Sequence, residues 1–209
     1  MKIITISREF GSGGRELGKR LADLLSFDYY DREIISSIAK DTGLDEKYVS
    51  EILERHGWQT VPITFRRSFS WMGALSMQAA HTELLLEQKR VIEEIARVGH
   101  DCVIVGRNAD VLLRQYDPLS LFVCAGMEEK VQRCMARAKD GEHLTRSEIL
   151  RNIHKIDKTR AQTRSILTNS KWGDKSAYQL ILNTTHWKIK ELTPAVACFA
   201  DRWFGRERQ

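Results

Sequence analysis

Short stretches rich in β-branched and aliphatic residues alternate along this chain with longer stretches of helical periodicity. The strand candidates are KIITIS (2–7), DCVIVG (101–106), LSLFVCA (119–125) and YQLILNT (178–184), with FDYYD (27–31) as a shorter one. A strand with one face in water alternates apolar and polar residues. Most of these runs do not alternate, which means that both faces of their sheet are covered. Helical segments between successive strands are the crossovers that parallel strands need. The pattern predicts an α/β fold, a five-stranded parallel sheet with helices on both faces. A chain of 209 residues suits one such domain carrying an insert.

The helices are marked by spacing and by their ends. RELGKRLADLLS places Leu17, Leu21, Leu24 and Leu25 on one face. Residues 32–56 read as two helices, with Asp45 as an N-cap and Gly57 as a stop. The segment 81–99 is a strong helix ending at Gly99, and MEEKVQRCMARAKDG sets Arg133 and Arg137 one turn apart. The helix over 145–167 opens with a capping box, Thr145 with Glu148, and 188–204 is the last helix. Residues 57–76, which contain Pro62 and the pair Arg66–Arg67, have no clear period.

Charge and cysteine usage narrow the class of partner. A net charge of +5 fits an anionic ligand such as nucleotide phosphates, and equally a mildly basic surface. Cys102, Cys124, Cys134 and Cys198 are scattered, which gives neither a zinc site nor a disulfide framework. No run approaches the length of a transmembrane helix, and the N-terminus runs straight into a strand rather than a signal peptide. The expected location is cytoplasmic, with no membrane partner.

Three segments carry chemistry. The first is REFGSGGRE, between the first strand and the first helix. Glycines here let backbone N–H groups face an anion at a helix N-terminus. The G-x-x-x-x-G-K-[ST] pattern fails, because Gly14 stands where the lysine belongs and Glu16 where the hydroxyl belongs. A phosphate loop and a glycine-rich structural turn both remain open. The second is VIVGRNAD (103–110), which delivers Arg107 and Asn108 at a strand's carboxyl end, where α/β sheets bind ligands. The alternative is a surface arginine paired with Asp110. The third is KIDKTRAQTR (155–164), in which Asp157, Arg160 and Arg164 share a helix face. That face is either a solvated charged stripe or, with Arg146, Arg151, Lys155 and Lys158, a phosphoryl-neutralising cluster.

Taken together, ITISREFGSGGRELGKRLADLLSFDYYDREII, VIVGRNAD, IDKTRAQTR and WGDKSAYQLILNT resemble the cytidylate kinase-like family, a branch of the P-loop nucleoside monophosphate kinases. The resemblance spans nearly the whole chain. It implies one kinase domain over 1–209, with an acceptor-binding insert at about 32–80 and a lid at about 138–170. It implies transfer of the γ-phosphoryl of ATP, with Mg²⁺, to a nucleoside monophosphate such as CMP or dCMP. Gly11, Ser12, Gly13, Gly14, Arg15 and Glu16 would cradle the ATP phosphates, with Arg133 and Arg137 as lid-base arginines. Arg15 would stand in for the lysine and Glu16 would help hold the metal. Asp157, Arg160 and Arg164 would act at the transferring group, the two arginines swinging in with the lid. Arg107, Asn108 and Asp31 would meet the acceptor, and NTT (183–185) would lie near the adenine.

The departures bear on the acceptor. Relatives with a defined cytosine site carry D-S-G-x-x-Y-R after the second strand, whereas this chain has DREIISS. Arg32, Arg66 and Arg67 are the candidate replacements. Trp58, Phe65, Phe69 and Trp71 would line an acceptor pocket or a subunit contact, which leaves a homodimer open. The rival functions are a nucleotide-binding pseudokinase or regulator, favoured by the missing lysine, and a nucleic-acid module, which no recognised motif supports.

Overall fold

The computed structural model describes residues 1–31, 86, 89–137 and 145–206. Its sheet has five parallel strands in the order β2-β3-β1-β4-β5. They are β1 (Ile3–Arg8), β2 (Asp28–Tyr30), β3 (Cys102–Val105), β4 (Leu119–Cys124) and β5 (Leu180–Asn183). The helices are α1 (Gly14–Leu25), α2 (Ala109–Leu112), α3 (Met127–Ala136), α4 (Arg146–Leu167) and α5 (Ile189–Phe204), together with helical residues 89–98.

Burial explains the strand pattern. β1 and β3 are buried at every position, as strands sandwiched by helices must be. β5 alternates between half-buried and exposed residues because it lies at the sheet's edge. One face of the sheet packs Leu17, Leu21, Val196 and Ala200 from α1 and α5 against Ile4, Ile6, Val103 and Leu121. The opposite face packs Val91, Ile92, Ala96 and Leu113 against Ile3, Cys102 and Ile104. A smaller cluster, Val131, Ile149 and Ile153 with Phe10, joins α3 and α4 to the loop after β1.

The expected capping box is formed. Thr145 accepts from the Glu148 N–H, and the Glu148 carboxylate accepts from the Thr145 N–H. The proposed insert, including Arg32, Arg66, Arg67 and the four aromatics, lies outside the described residues, as does the lid's first part, 138–144.

Candidate functional site

β1 ends at Arg8, and the chain turns through Glu9–Gly13 into α1. Gly11 and Gly13 hold φ of +74° and +84°, a left-handed conformation that favours glycine. The turn also packs closely on α3, where an added Cβ at Gly11 would stand 2.9 Å from the Lys130 carbonyl oxygen. Helix geometry leaves the N–H groups of Gly14, Arg15 and Glu16 without acceptors inside α1, and the helix dipole adds partial positive charge there. Such N–H groups at the carboxyl edge of a parallel sheet are a geometry that can accept an anion.

Both limbs of the loop are clamped. Asp157 Oδ1 accepts the Phe10 N–H at 2.7 Å, and Arg160 Nη1 donates to the Arg8 carbonyl at 2.6 Å. Lys130 Nζ lies buried 2.9 Å from Glu9 Oε2 and 3.8 Å from Asp157 Oδ2. Glu9 Oε2 also accepts the Ala125 N–H at 3.2 Å. Burial raises the Asp157 carboxyl above its ordinary value, against the pull of Arg160, the Phe10 N–H and Lys130. On the far limb, Arg133 donates to Ser12 O (3.1 Å), Thr184 Oγ1 (2.8 Å), Thr184 O (2.7 Å) and Trp187 O (3.0 Å). Thr184 Oγ1 itself donates to Ser12 O at 2.7 Å.

Beside the loop, two arginines gather round the Asp31 carboxylate. Arg15 Nε is 2.9 Å from Asp31 Oδ2, and Arg8 Nη2 is 3.8 Å from Asp31 Oδ1. Burial lowers the pKa of both Arg8 and Arg160, and the charge of Arg107 lowers that of Arg160 further. Arg107 and Asn108 follow the carboxyl end of β3 on the same sheet edge, both at positive φ, where β3 gives way to α2. An arginine stays protonated under such burial, so Arg8 and Arg160 keep their charges beside Asp31 and Asp157.

Several side chains depart from their expected roles for a physical reason. Arg133 packs as a strut between the glycine loop and the loop after β5, with its donors on Ser12, Thr184 and Trp187. Arg164 is 2% exposed and donates to Asp110 Oδ2 at 2.6 Å and to Ser170, which holds it in the core rather than free to swing. Asp110 is thus the buried partner of Arg164. Arg15 turns toward Asp31 rather than back over the loop. The basic cluster of α4 divides, with Arg146, Arg151, Lys155 and Lys158 exposed to solvent and Arg160 facing the loop.

Sequence reasoning missed Arg8, Glu9 and Lys130. Glu9 and Lys130 left no signal, because their contact bridges 121 positions. For Arg8 there is one, an arginine closing a buried strand three residues before the first glycine of the turn.

The loop suits the phosphates of a nucleoside triphosphate, since its backbone donors converge at a helix N-terminus. Magnesium at Glu16 does not fit this arrangement. One Glu16 oxygen is 3.0 Å from Arg20 Nε and the other 2.7 Å from Arg137 Nη2. Among the described residues no group of three His, Cys, Asp or Glu side chains assembles elsewhere.

The model of the cytidylate kinase-like family matches residues 3–186. Among curated proteins none matches the chain. A solved structure of an uncharacterized protein from Eubacterium ventriosum superimposes with TM-score 0.70 at 24% identity, covering 96% of this chain and 99% of that one. Shikimate kinase from Bacteroides thetaiotaomicron gives 0.56 at 14% identity, covering 96% and 98%. Shikimate kinase from Acinetobacter baumannii, in complex with shikimate, gives 0.53 at 13% identity, covering 99% and 96%. At these identities the solved structures speak for the P-loop kinase fold.

Proposed function

The chain belongs to the cytidylate kinase-like family, and from that premise we propose that it is an ATP-dependent kinase whose acceptor is a nucleoside monophosphate, with CMP or dCMP first among them. The carrying observation is the cradle of 11–16 opening beside Asp31, Arg8, Arg15, Arg107 and Arg160 on one sheet edge. Backbone donors hold the donor's β-phosphate, and the arginine edge receives the acceptor's phosphate. In the transfer, the γ-phosphorus parts from the βγ-bridging oxygen, which keeps the bonding pair, and bonds an acceptor phosphate oxygen. Fixed guanidinium groups stabilise the charge spread over the oxygens in transit, which is where most catalysis of phosphoryl transfer lies. Asp157 and Lys130 act behind the loop and hold Phe10 and Glu9 in place. ATP and Mg²⁺ are the proposed cosubstrate and metal, and Glu16, paired with Arg20 and Arg137, is not among the metal's ligands.

The test is ADP formation from ATP and Mg²⁺ with CMP, dCMP, UMP, AMP and GMP, and with shikimate as the non-nucleotide control. Turnover dependent on one monophosphate supports the reading, and turnover with shikimate alone overturns the acceptor class. A second reading, a nucleotide-binding regulator without transfer, is favoured by Gly14 at the lysine position and by the pairing of Glu16. It predicts ATP binding and no acceptor-dependent ADP.

A further inference from the structure

The absence of a lysine at position 14 has a steric counterpart. A Cβ added at Gly14 would stand 2.7 Å from Arg8 Cβ and 3.1 Å from Arg8 Cγ. The stem of Arg8 fills the space in which a side chain at position 14 would begin, so a lysine does not fit there while Arg8 is present. Beyond its stem, Arg8 runs from the end of β1 across the end of β3. Its guanidinium lies so close over Gly106 that an added Cβ there would overlap Nη1, and Gly106 holds φ +83°. Two glycines in separate segments are thus shaped by one side chain. Its far end is 3.8 Å from Asp31, and its charge is felt by Arg160. Its backbone is fixed as well, by the Arg160 bond to its carbonyl.

We propose that Arg8 supplies the cation that this loop lacks at position 14, gripping the phosphoryl group between the donor loop and the acceptor edge; this rests on the kinase reading above. The charge comes from the strand before the loop rather than from the helix after it. It arrives as a planar fork able to meet two phosphate oxygens, where lysine offers a point charge. Arg8 changes neither protonation nor covalent bonding during transfer. Gly14 is then part of the device, since it clears the path of the Arg8 stem.

The test moves the charge. Arg8→Met keeps an unbranched stem over Gly14 and removes the guanidinium. Its kcat is expected to fall about hundredfold, the scale of losing a charge-stabilising donor, in protein that circular dichroism shows to be folded at the assay temperature. A kcat equal to that of the wild type overturns the proposal, and this variant decides on its own. The double variant Arg8→Gly, Gly14→Lys places a lysine at position 14 in the space the stem has left. It is expected to exceed the Arg8→Gly variant about tenfold, and a folded double variant no faster than Arg8→Gly overturns the proposal. Should the wild type bind ATP but serve no acceptor, the transfer reading fails, and affinity for inorganic tripolyphosphate judges Arg8. A loss of about tenfold in Arg8→Met supports the phosphate contact, and equal affinity overturns it. A wild type that binds neither ATP nor tripolyphosphate overturns both.

Discussion

Asp157 Oδ1 accepts the backbone N–H of Phe10 at 2.7 Å, across 147 positions of sequence. One carboxylate on α4 thereby fixes the entry to the glycine loop, and the same side chain meets Arg160 at 3.3 Å and Lys130 at 3.8 Å. The long helix is bonded to the loop in this structure, so any lid movement would have to break or pivot about these contacts.

The pH response of Asp157 follows from its raised pKa. The folded carboxyl binds its proton more tightly than the unfolded one. Its contribution to stability is therefore complete below its ordinary value of 3.8 and is lost as pH rises through the folded value. Asp157→Asn removes this dependence. Urea unfolding at a series of pH values should show the wild type losing stability relative to Asp157→Asn as pH rises from the acid side.

Arg15 bonds Asp31 rather than the loop, so its loss should fall on the acceptor. Arg15→Ala is expected to raise the acceptor KM about tenfold, the scale of one charge-assisted hydrogen bond, while the KM for ATP changes little. Steady-state kinetics with each substrate varied in turn checks this. Equal rates and constants in both proteins would remove Arg15 from the site.

The Arg164–Asp110 pair is buried on both sides, with side chains 2% and 5% exposed. Removing one member leaves the other charged and unpaired. Arg164→Met should cost about 3–5 kcal/mol of unfolding free energy by denaturant titration. The double variant Arg164→Met, Asp110→Leu should recover a large part of that loss. Catalytic damage in a fully stable Arg164→Met would return this residue to the site.

The four thiols should differ in reactivity. Cys102 is fully buried, and burial pushes its pKa to about 12, so at pH 8 only about one part in ten thousand is thiolate. Cys198 is exposed on α5. A disulfide reagent added to the native protein should label Cys198 first and Cys102 only after unfolding, as read by peptide mass.

Much of the sheet was legible because its information is local. A strand covered on both faces shows as an uninterrupted apolar run, and β1, β3 and β4 stand within a residue or two of the runs that announced them. The glycines before α1 showed for the same reason, since a positive φ leaves a residue type behind. The site's pairings are not local. Lys130 with Glu9, Arg164 with Asp110 and Arg133 with Thr184 join residues from 51 to 121 positions apart. No period or motif records such contacts. Helical spacing put Asp157, Arg160 and Arg164 on one face, but it could not tell that Arg164 meets a buried carboxylate while Arg160 meets the loop. Position 14 was readable as a lost lysine, and only the fold shows the Arg8 stem in its place.

On the kinase proposal, this loop, without its lysine, still delivers a γ-phosphoryl group to a nucleoside monophosphate. Phosphorus NMR of the protein with ATP, Mg²⁺ and CMP observes that directly. ADP and CDP resonances are expected to grow together in equal amounts as ATP and CMP decline. Unchanged ATP, or ADP accompanied only by free phosphate, with CMP and every other monophosphate tried, would contradict it.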